Sequence, residues 1–500
     1  MFLGAVASGH PATTSAAAEV LRGGGNAFDA AIGAGFAAAV AEPFLTSLAG
    51  GGFLLARSVD TRGGPAEETV FDFFVATPGL GGDRRHAASD LVGVPIRFGH
   101  AVQDFYVGPA SVGTPGVLSG YLAVHERLGR LALTEVVAPA VRIAREGIDV
   151  DPFLVQLVDL LMPIIERTDQ GRSLFFRDGR PLRVGDRFTN PDLASLLAAV
   201  GAGDRTGFDP EELGGNVSAA DLSAYRVIER QPLRIDHRGA RVLTNPPPSM
   251  GGSLVAHGLE VVGHTEPVAD RDEPRAIRVR AEALRSVTEH RTKLGPAATR
   301  GTTHLAVIDA DGNVATMTTS NGSGSGEFAE GLGVQLNNVM GEEDLHPGGF
   351  GTAVPGERVG SMMSPTIVEL DSGGIAAFGS GGSERIRSTV MGLVLDVVDA
   401  GLSMSEAVAA PRLHWDGAAF QVEPGWAETG LRALEDDGWT VNRWPVPDLY
   451  FGGAHAVFAH GDPANSAPNG DAVGGCVGGE LAVEAVGDPR RGGVGAMIES

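Results

Sequence analysis

Cysteine is almost missing from this chain: Cys476 is the only one in 500 residues. A single thiol closes no intrachain disulfide and builds no cysteine metal cluster, so neither device supplies the fold or the chemistry. Set between Gly474-Gly475 and Val477-Gly478, Cys476 reads as a packed small residue rather than a nucleophile. Lysine is equally scarce, with Lys293 alone, a composition effect from which no mechanism follows. Lys and Arg together number 38 against 62 Asp and Glu, a net charge of −24. Such a surface repels polyanions at long range, which excludes nucleic acid and an anionic membrane as main partners. A run of about 20 uninterrupted apolar residues is also lacking. The most apolar stretch, Ala30 to Ala56, is broken by Glu42, Pro43 and Gly50-Gly51-Gly52. The opening Met1-Phe2-Leu3-Gly4-Ala5-Val6 has no basic region followed by an apolar one, so no export signal is readable and a cytoplasmic location is expected.

Glycine is plentiful, with 73 residues beside 30 prolines. It follows no triplet period, which excludes a collagen helix, and it is spread through the chain as turns. With 43% hydrophobic and 20% charged residues, the composition is that of a folded globular protein, one large domain or two to three ordinary ones.

Along the chain, Thr13 to Leu21 predicts a helix stopped by Gly23-Gly24-Gly25, and Asn26 predicts the cap of a second helix ending before Pro43. Phe53-Leu54-Leu55-Ala56 and Thr69 to Phe73 read as buried strands. Residues 115 to 230 read as mostly helical, and Ala276 to Lys293 as a charged, exposed helix. Thr302 to Asp309 alternates as a strand, Asp311-Gly312 signals a hairpin, and Asn313 to Ser320 alternates back. Helix patterns return at Arg385 to Ala400 and Ser405 to Ala409. Strands flanked by helices before and after predict a layered α/β architecture with one shared core.

Several standard chemistries find no support. Gly33-Ala34-Gly35 and Gly50-Gly51-Gly52 lack the strand, spaced-glycine turn and helix order of a pyrophosphate cradle. Asp309 to Asn313 resembles the start of a calcium loop, but its twelfth position is Ser320, so a hairpin turn is the simpler reading. The 13 histidines show no paired ligand spacing, and no Gly-x-Ser-x-Gly elbow stands out. No metal or cofactor is expected. What remains is Arg300-Gly301-Thr302-Thr303-His304, a hydroxyl opening a core strand directly after glycine. A hydroxyl needs an adjacent base. Cleavage before Thr302 would provide one, because its new α-amino group has a pKa of about 7.7–8.0.

With this strand stand further ordered motifs: Ser8-Gly9-His10-Pro11, Gly25-Asn26-Ala27-Phe28-Asp29-Ala30-Ala31, Glu42-Pro43, Gly113-Thr114-Pro115-Gly116, Leu336-Asn337-Asn338, Met363-Ser364-Pro365-Thr366 and Gly379-Ser380-Gly381-Gly382. On these residues the whole chain resembles the γ-glutamyltranspeptidase family of N-terminal-nucleophile hydrolases. The resemblance implies a four-layer αββα sandwich, with residues 1–301 as a large subunit and 302–500 as a small one, together one intertwined domain. It implies Thr302 as the nucleophile of autocleavage after Gly301 and of turnover, and Ser320 as its hydroxyl partner. Gly381 and Gly382, or without a gap Gly382 and Ser383, would be the oxyanion donors. The product would be a heterodimer of the chain's own fragments, itself able to pair further, acting on a small-molecule acyl or amide substrate.

The glutamate head-group positions depart from the family pattern. Phe74 stands where the resemblance implies a carboxylate-binding Arg, Ser361-Met362 where it implies a serine pair, and Val339 where it implies Gln or Glu. Glu342 replaces an Asp at the amino-group position, and the family Asn corresponds to Asn321 or, ungapped, Gly322. Losing one partner of a buried charge pair costs about 2–5 kcal/mol, so weak turnover of glutathione is expected. Arg385 or Arg387 could take over the carboxylate, although each reads more simply as a helix arginine facing solvent. An acylase or C–C hydrolase on the same fold, and an unprocessed non-catalytic homologue, are the alternative readings.

Overall fold

The computed structural model describes residues 1–500 except 61, 63, 83–84, 99–100, 295–300, 347 and 462–481; Cys476 lies outside the described residues. Thirteen strands carry the fold. They are β1 (Phe2–Ser8), β2 (Gly51–Ser58), β3 (Glu67–Phe73), β4 (Ile228–Arg230), β5 (Leu233–His237), β6 (Ala240–Thr244), β7 (Gly301–Asp309), β8 (Val314–Gly322), β9 (Thr366–Glu369), β10 (Ile375–Gly381), β11 (Gly453–His460), β12 (Ala482–Val486) and β13 (Val494–Glu499). Among the described residues they form a seven-stranded sheet in the order β4-β3-β2-β8-β7-β1-β13 and a six-stranded one in the order β5-β6-β9-β10-β11-β12. Neighbours within each run antiparallel.

The two sheets lie face to face between helices. Alternate residues of a strand point to opposite faces, and β7 shows it. Ala306 and Ile308 join Phe378, Ala456 and Val457 of the second sheet in one core cluster. Leu305 and Val307 join Phe28, Ile32 and Phe36 of a helix in another. That helix, α2 (Ala27–Ala41), and its neighbour α1 (Pro11–Arg22) cover the outer face of the first sheet. Farther along the chain follow α3 (Val117–Leu128), α4 (Leu133–Glu146) and α5 (Pro152–Ile165). Then α6 (Met250–Gly263), α7 (Pro274–Leu294) and α8 (Arg385–Val394) contribute Leu254, Leu284 and Val390 to the second sheet's cluster. The result is the expected α/β layering.

Local signals explain the elements next to the site. Asn26 caps α2 by accepting from the N–H groups of Phe28 and Asp29, while Asp29 accepts from Asn26 N–H, a capping box. In the β7–β8 hairpin, Gly312 takes φ +85°. The Asp309 carboxylate accepts from the backbone of Asp311, Asn313 and Ala27 and from the Asn313 amide. Those bonds make this segment a turn. One expectation needs correction: α7 is not an exposed helix, because Ile277, Ala281, Leu284 and Val287 form a buried face. Its many Arg and Glu residues hid an amphipathic stripe.

Candidate active site

Thr302 is the second residue of β7 and is fully buried. On the alternation just described it shares the inter-sheet face with Ala306 and Ile308. The β7–β8 register sets Thr302 opposite Ser320 and His304 opposite Thr318. Thr302 Oγ donates to Ser320 Oγ at 3.4 Å, and Ser320 Oγ donates in turn to the Gly301 carbonyl oxygen. Gly322 N–H donates to the same Ser320 oxygen at 3.0 Å. The serine thus lies between the threonine hydroxyl and the carbonyl just before it. On the other side, Arg491 Nη1 donates to the Thr302 carbonyl at 3.1 Å. Burial, with Arg385 nearby, pushes the Arg491 guanidinium down to about 10.

The glycine loop closes over this group from the second sheet. A Cβ on Gly381, at the end of β10, would come within 2.2 Å of the Thr302 carbonyl oxygen, so only glycine permits the approach. The chain then turns through Gly382 at φ +117° and Ser383 at φ +60°, the left-handed region that a serine adopts at a cost. Among the described residues, neither of these two N–H groups donates a hydrogen bond within the protein. Residues 301, 302, 320 and 381, predicted together from the sequence, are together in space.

The γ-glutamyltranspeptidase family profile matches residues 13–299 and 295–498. The chain belongs to this family. It is 29% identical over 515 residues to the glutathione hydrolase proenzyme of Escherichia coli (strain K12), covering 88% of this chain and 86% of that one. It is 30% identical over 500 residues to the acylase ACY 1 proenzyme of Pseudomonas sp. (strain V22), covering 88% of each. Among solved structures, the cephalosporin acylase from Bacillus halodurans superposes with a TM-score of 0.80 at 25% identity, over 100% of this chain and 96% of that one. The fold is therefore that of the γ-glutamyltranspeptidase and acylase enzymes, and the family is one of hydrolases and transferases.

The positions expected to differ from the γ-glutamyltranspeptidase pattern are also placed. Phe74 is fully buried, stacks on Phe53 with ring centroids 5.6 Å apart, and shares one apolar cluster with Val339 and Met362. Ser361 faces backbone: its hydroxyl accepts from Met363 N–H at 3.1 Å, and its carbonyl accepts from Met250 N–H at the start of α6. Glu342 is buried against the end of β8, where a Cβ on Gly322 would lie 2.5 Å from its Oε1. Asn321 donates to Gln335 Oε1 at 3.2 Å, on the strand face opposite to Ser320. Arg385 and Arg387 correct the sequence reading, because neither faces solvent. They are 6% and 2% exposed; α8 lies buried on the second sheet, and two arginines in a short helix pattern gave no sign of that.

Three further residues beside Thr302 were not singled out for the site. Arg491 follows a buried ion network and carries no motif of its own. Glu42 was seen only as part of Glu42-Pro43; it accepts from Thr13 Oγ at 2.7 Å and from Thr303 Oγ. Burial pushes its carboxyl up to about 7. His304 contacts Thr318 Oγ through Nδ1 at 2.8 Å and Thr316 Oγ through Nε2 at 3.1 Å. Burial holds it well below the usual imidazole range, so it is a neutral member of a hydroxyl ladder. Among the described residues no cluster of three His, Cys, Asp or Glu could hold a metal ion, and no described helix is long and apolar enough to cross a membrane.

Proposed function

We propose that this protein is an autoprocessed acyl-amide hydrolase or acyltransferase with Thr302 as its nucleophile. The observation that carries this reading is the chain of hydroxyls from Thr302 through Ser320 to the Gly301 carbonyl. The Ser320 O–H polarises the carbonyl that the Thr302 hydroxyl attacks. The Gly301–Thr302 C–N bond breaks as a C–O bond forms, and the hydroxyl proton passes to the departing nitrogen, leaving an ester. Water hydrolyses the ester, freeing the Gly301 carboxylate and the Thr302 hydroxyl beside the α-amine that the shift released. The two relatives above, the glutathione hydrolase and the acylase ACY 1, are each named as proenzymes, which supports a cleaved precursor.

In turnover the α-amine takes the hydroxyl proton as Thr302 Oγ attacks the substrate acyl carbon, then gives it to the leaving amine. The free N–H groups at Gly382 and Ser383, or the Gly381 and Gly382 pair, meet the oxyanion. One such donor contributes about 3–4 kcal/mol to the barrier. Water or an amine acceptor then releases the acyl group. Because the base is a free amine, activity falls as pH drops below about 7.7–8.0. Phe74 and Met362 leave a glutamyl α-carboxylate without a cation at the family's positions, so glutathione turns over poorly.

The test is a denaturing gel of wild type beside Thr302→Ala. Scaling 51.4 kDa by 301/500 and 199/500 gives bands of about 31 and 20 kDa for wild type alone. A wild type that remains at full length sinks the nucleophile assignment.

A further inference from the structure

Arg491 joins the backbone of Thr302 to the glycine loop. It ends the turn Pro489–Arg491 between β12 and β13 and is buried. Its Nη1 donates to the Thr302 carbonyl at 3.1 Å and its Nη2 to the Leu449 carbonyl at 3.3 Å. A Cβ built on Gly381 would lie 2.9 Å from Nη1, and one on Gly382 would lie 3.4 Å from Nη2. One guanidinium is thus packed against the carbonyl of Thr302 and against both loop glycines.

This placement has an electrostatic consequence once the Gly301–Thr302 bond is cut. The nitrogen and the carbonyl oxygen of one residue are about 3 Å apart, so the guanidinium stands on the order of 6 Å from the freed Thr302 amine. At that range in a buried site one cation disfavours another, and the amine gives up its proton at a lower pH. Arg491 keeps its charge there, because its guanidinium titrates at about 10, well above an α-amine. Other groups around Thr302 act in both directions. Glu342 lies against Gly322, which faces Gly301 across the hairpin, and Glu42 accepts from the Thr303 hydroxyl one residue along β7. A carboxylate at either place favours the protonated amine. Arg385 of α8 lines the same small cavity as Gly301 and Arg491, with its Nε donating to the Tyr450 carbonyl at 2.8 Å. His304, two residues along β7, is neutral because burial holds it well below the usual imidazole range. Of these charged groups, Arg491 is the one hydrogen-bonded to Thr302.

We propose that Arg491 is a positioning residue whose fixed charge also offsets the carboxylates around Thr302, keeping the freed α-amine available as a base near neutral pH. The proposal rests on Thr302 being the nucleophile released by cleavage.

The chain offers a direct readout, since Lys293 is its sole lysine and precedes the cut. In the 302–500 fragment the Thr302 amine is therefore the single amine, and trace acetic anhydride acetylates it only when unprotonated. Untagged, cleaved wild type is labelled from about pH 5 to 10, and the fragment's N-terminal peptide is read by mass spectrometry; its midpoint should lie no higher than about 8, the value of an ordinary α-amine. Arg491→Gln should raise the midpoint by about one pH unit or more, and Arg491→Lys, which keeps the charge, by less than about 0.3. A residue that only braces the backbone would slow cleavage in these variants and leave the midpoint where it was; that result overturns the proposal and spares the nucleophile. So does a midpoint raised equally in both variants. A wild-type midpoint well above 8 overturns it as well, and decides the matter where neither variant cleaves. Wild type that stays whole overturns the nucleophile assignment and this proposal together.

Discussion

Ser320 meets Thr302 through its hydroxyl, and Gly381 through an approach that a residue with a Cβ does not permit. Ser320→Ala removes the O–H on the Gly301 carbonyl, and loss of one such donor slows acyl chemistry by about 100-fold or more. Fragment formation over time on a gel should slow accordingly while the fold persists, since alanine fits where serine did. Gly381→Ala instead drives a methyl into the Thr302 carbonyl oxygen, at 2.2 Å before relaxation; we expect a loss of about 1–3 kcal/mol in chemical denaturation together with slowed cleavage. Glu42 supplies a pH-dependent case. Its carboxyl, pushed up to about 7 by burial, binds a proton more tightly in the folded chain than in the unfolded one. Its contribution to stability is therefore complete below pH 4.5, its ordinary value, and is lost as pH rises through about 7. At 1.36 kcal/mol per pH unit that window holds about 3 kcal/mol at most. Melting temperatures recorded from pH 4.5 to 8 should fall for wild type and stay flatter for Glu42→Gln, which keeps the shape and loses the titration.

Hairpins and caps were the elements most legible in the sequence, because their signals are local. Asn26, Asp311-Gly312 and the alternation of Thr302 to Ser320 each specify a conformation within a few residues, and the structure has those elements in those places. The Gly301, Thr302, Ser320 and Gly381 group was legible through the family resemblance; the hairpin then sets Thr302 opposite Ser320, while Gly381 approaches from β10 of the other sheet. Arg491 was not, because it is held by pairs far apart in sequence. Beside it, Arg490 pairs with Glu423 at 2.6 Å, and Asp488 takes both Arg490 and Arg412. All four side chains are nearly sealed from water. Breaking one pair of such a set leaves a buried charge uncompensated, at a cost of about 3–5 kcal/mol. We predict that Glu423→Gln lowers the free energy of unfolding by that amount in chemical denaturation. It should also slow fragment formation, because Arg491 follows directly on the residue released; unchanged processing in a destabilised variant would show that Arg491 is held without the network. Arg385 and Arg387 were misjudged on similar grounds, since nothing local announces that α8 is buried on both flanks.

Strand order decides how the whole molecule responds to being cut. Cleavage after Gly301 would assign β1 to the first fragment and β7 and β13 to the second, yet β1 lies hydrogen-bonded between those two. In the same sheet β2 pairs with β8, again across the cut, and in the other sheet β6 pairs with β9. Each fragment thus completes both sheets of the other, and the inter-sheet core draws on Ala5, Ala7, Phe53 and Leu55 from one and Ala306, Ile308, Ala377 and Val457 from the other. Separation would expose that core and unpair strand edges in both sheets, a loss on the scale of global unfolding. Processed protein should therefore elute from a sizing column at no less than the mass of the whole 51.4 kDa chain and part into two fragments only in denaturant, at one cooperative transition. Elution of free fragments of about 31 and 20 kDa under native conditions, with the masses scaled from residue counts as above, would contradict the intertwined arrangement.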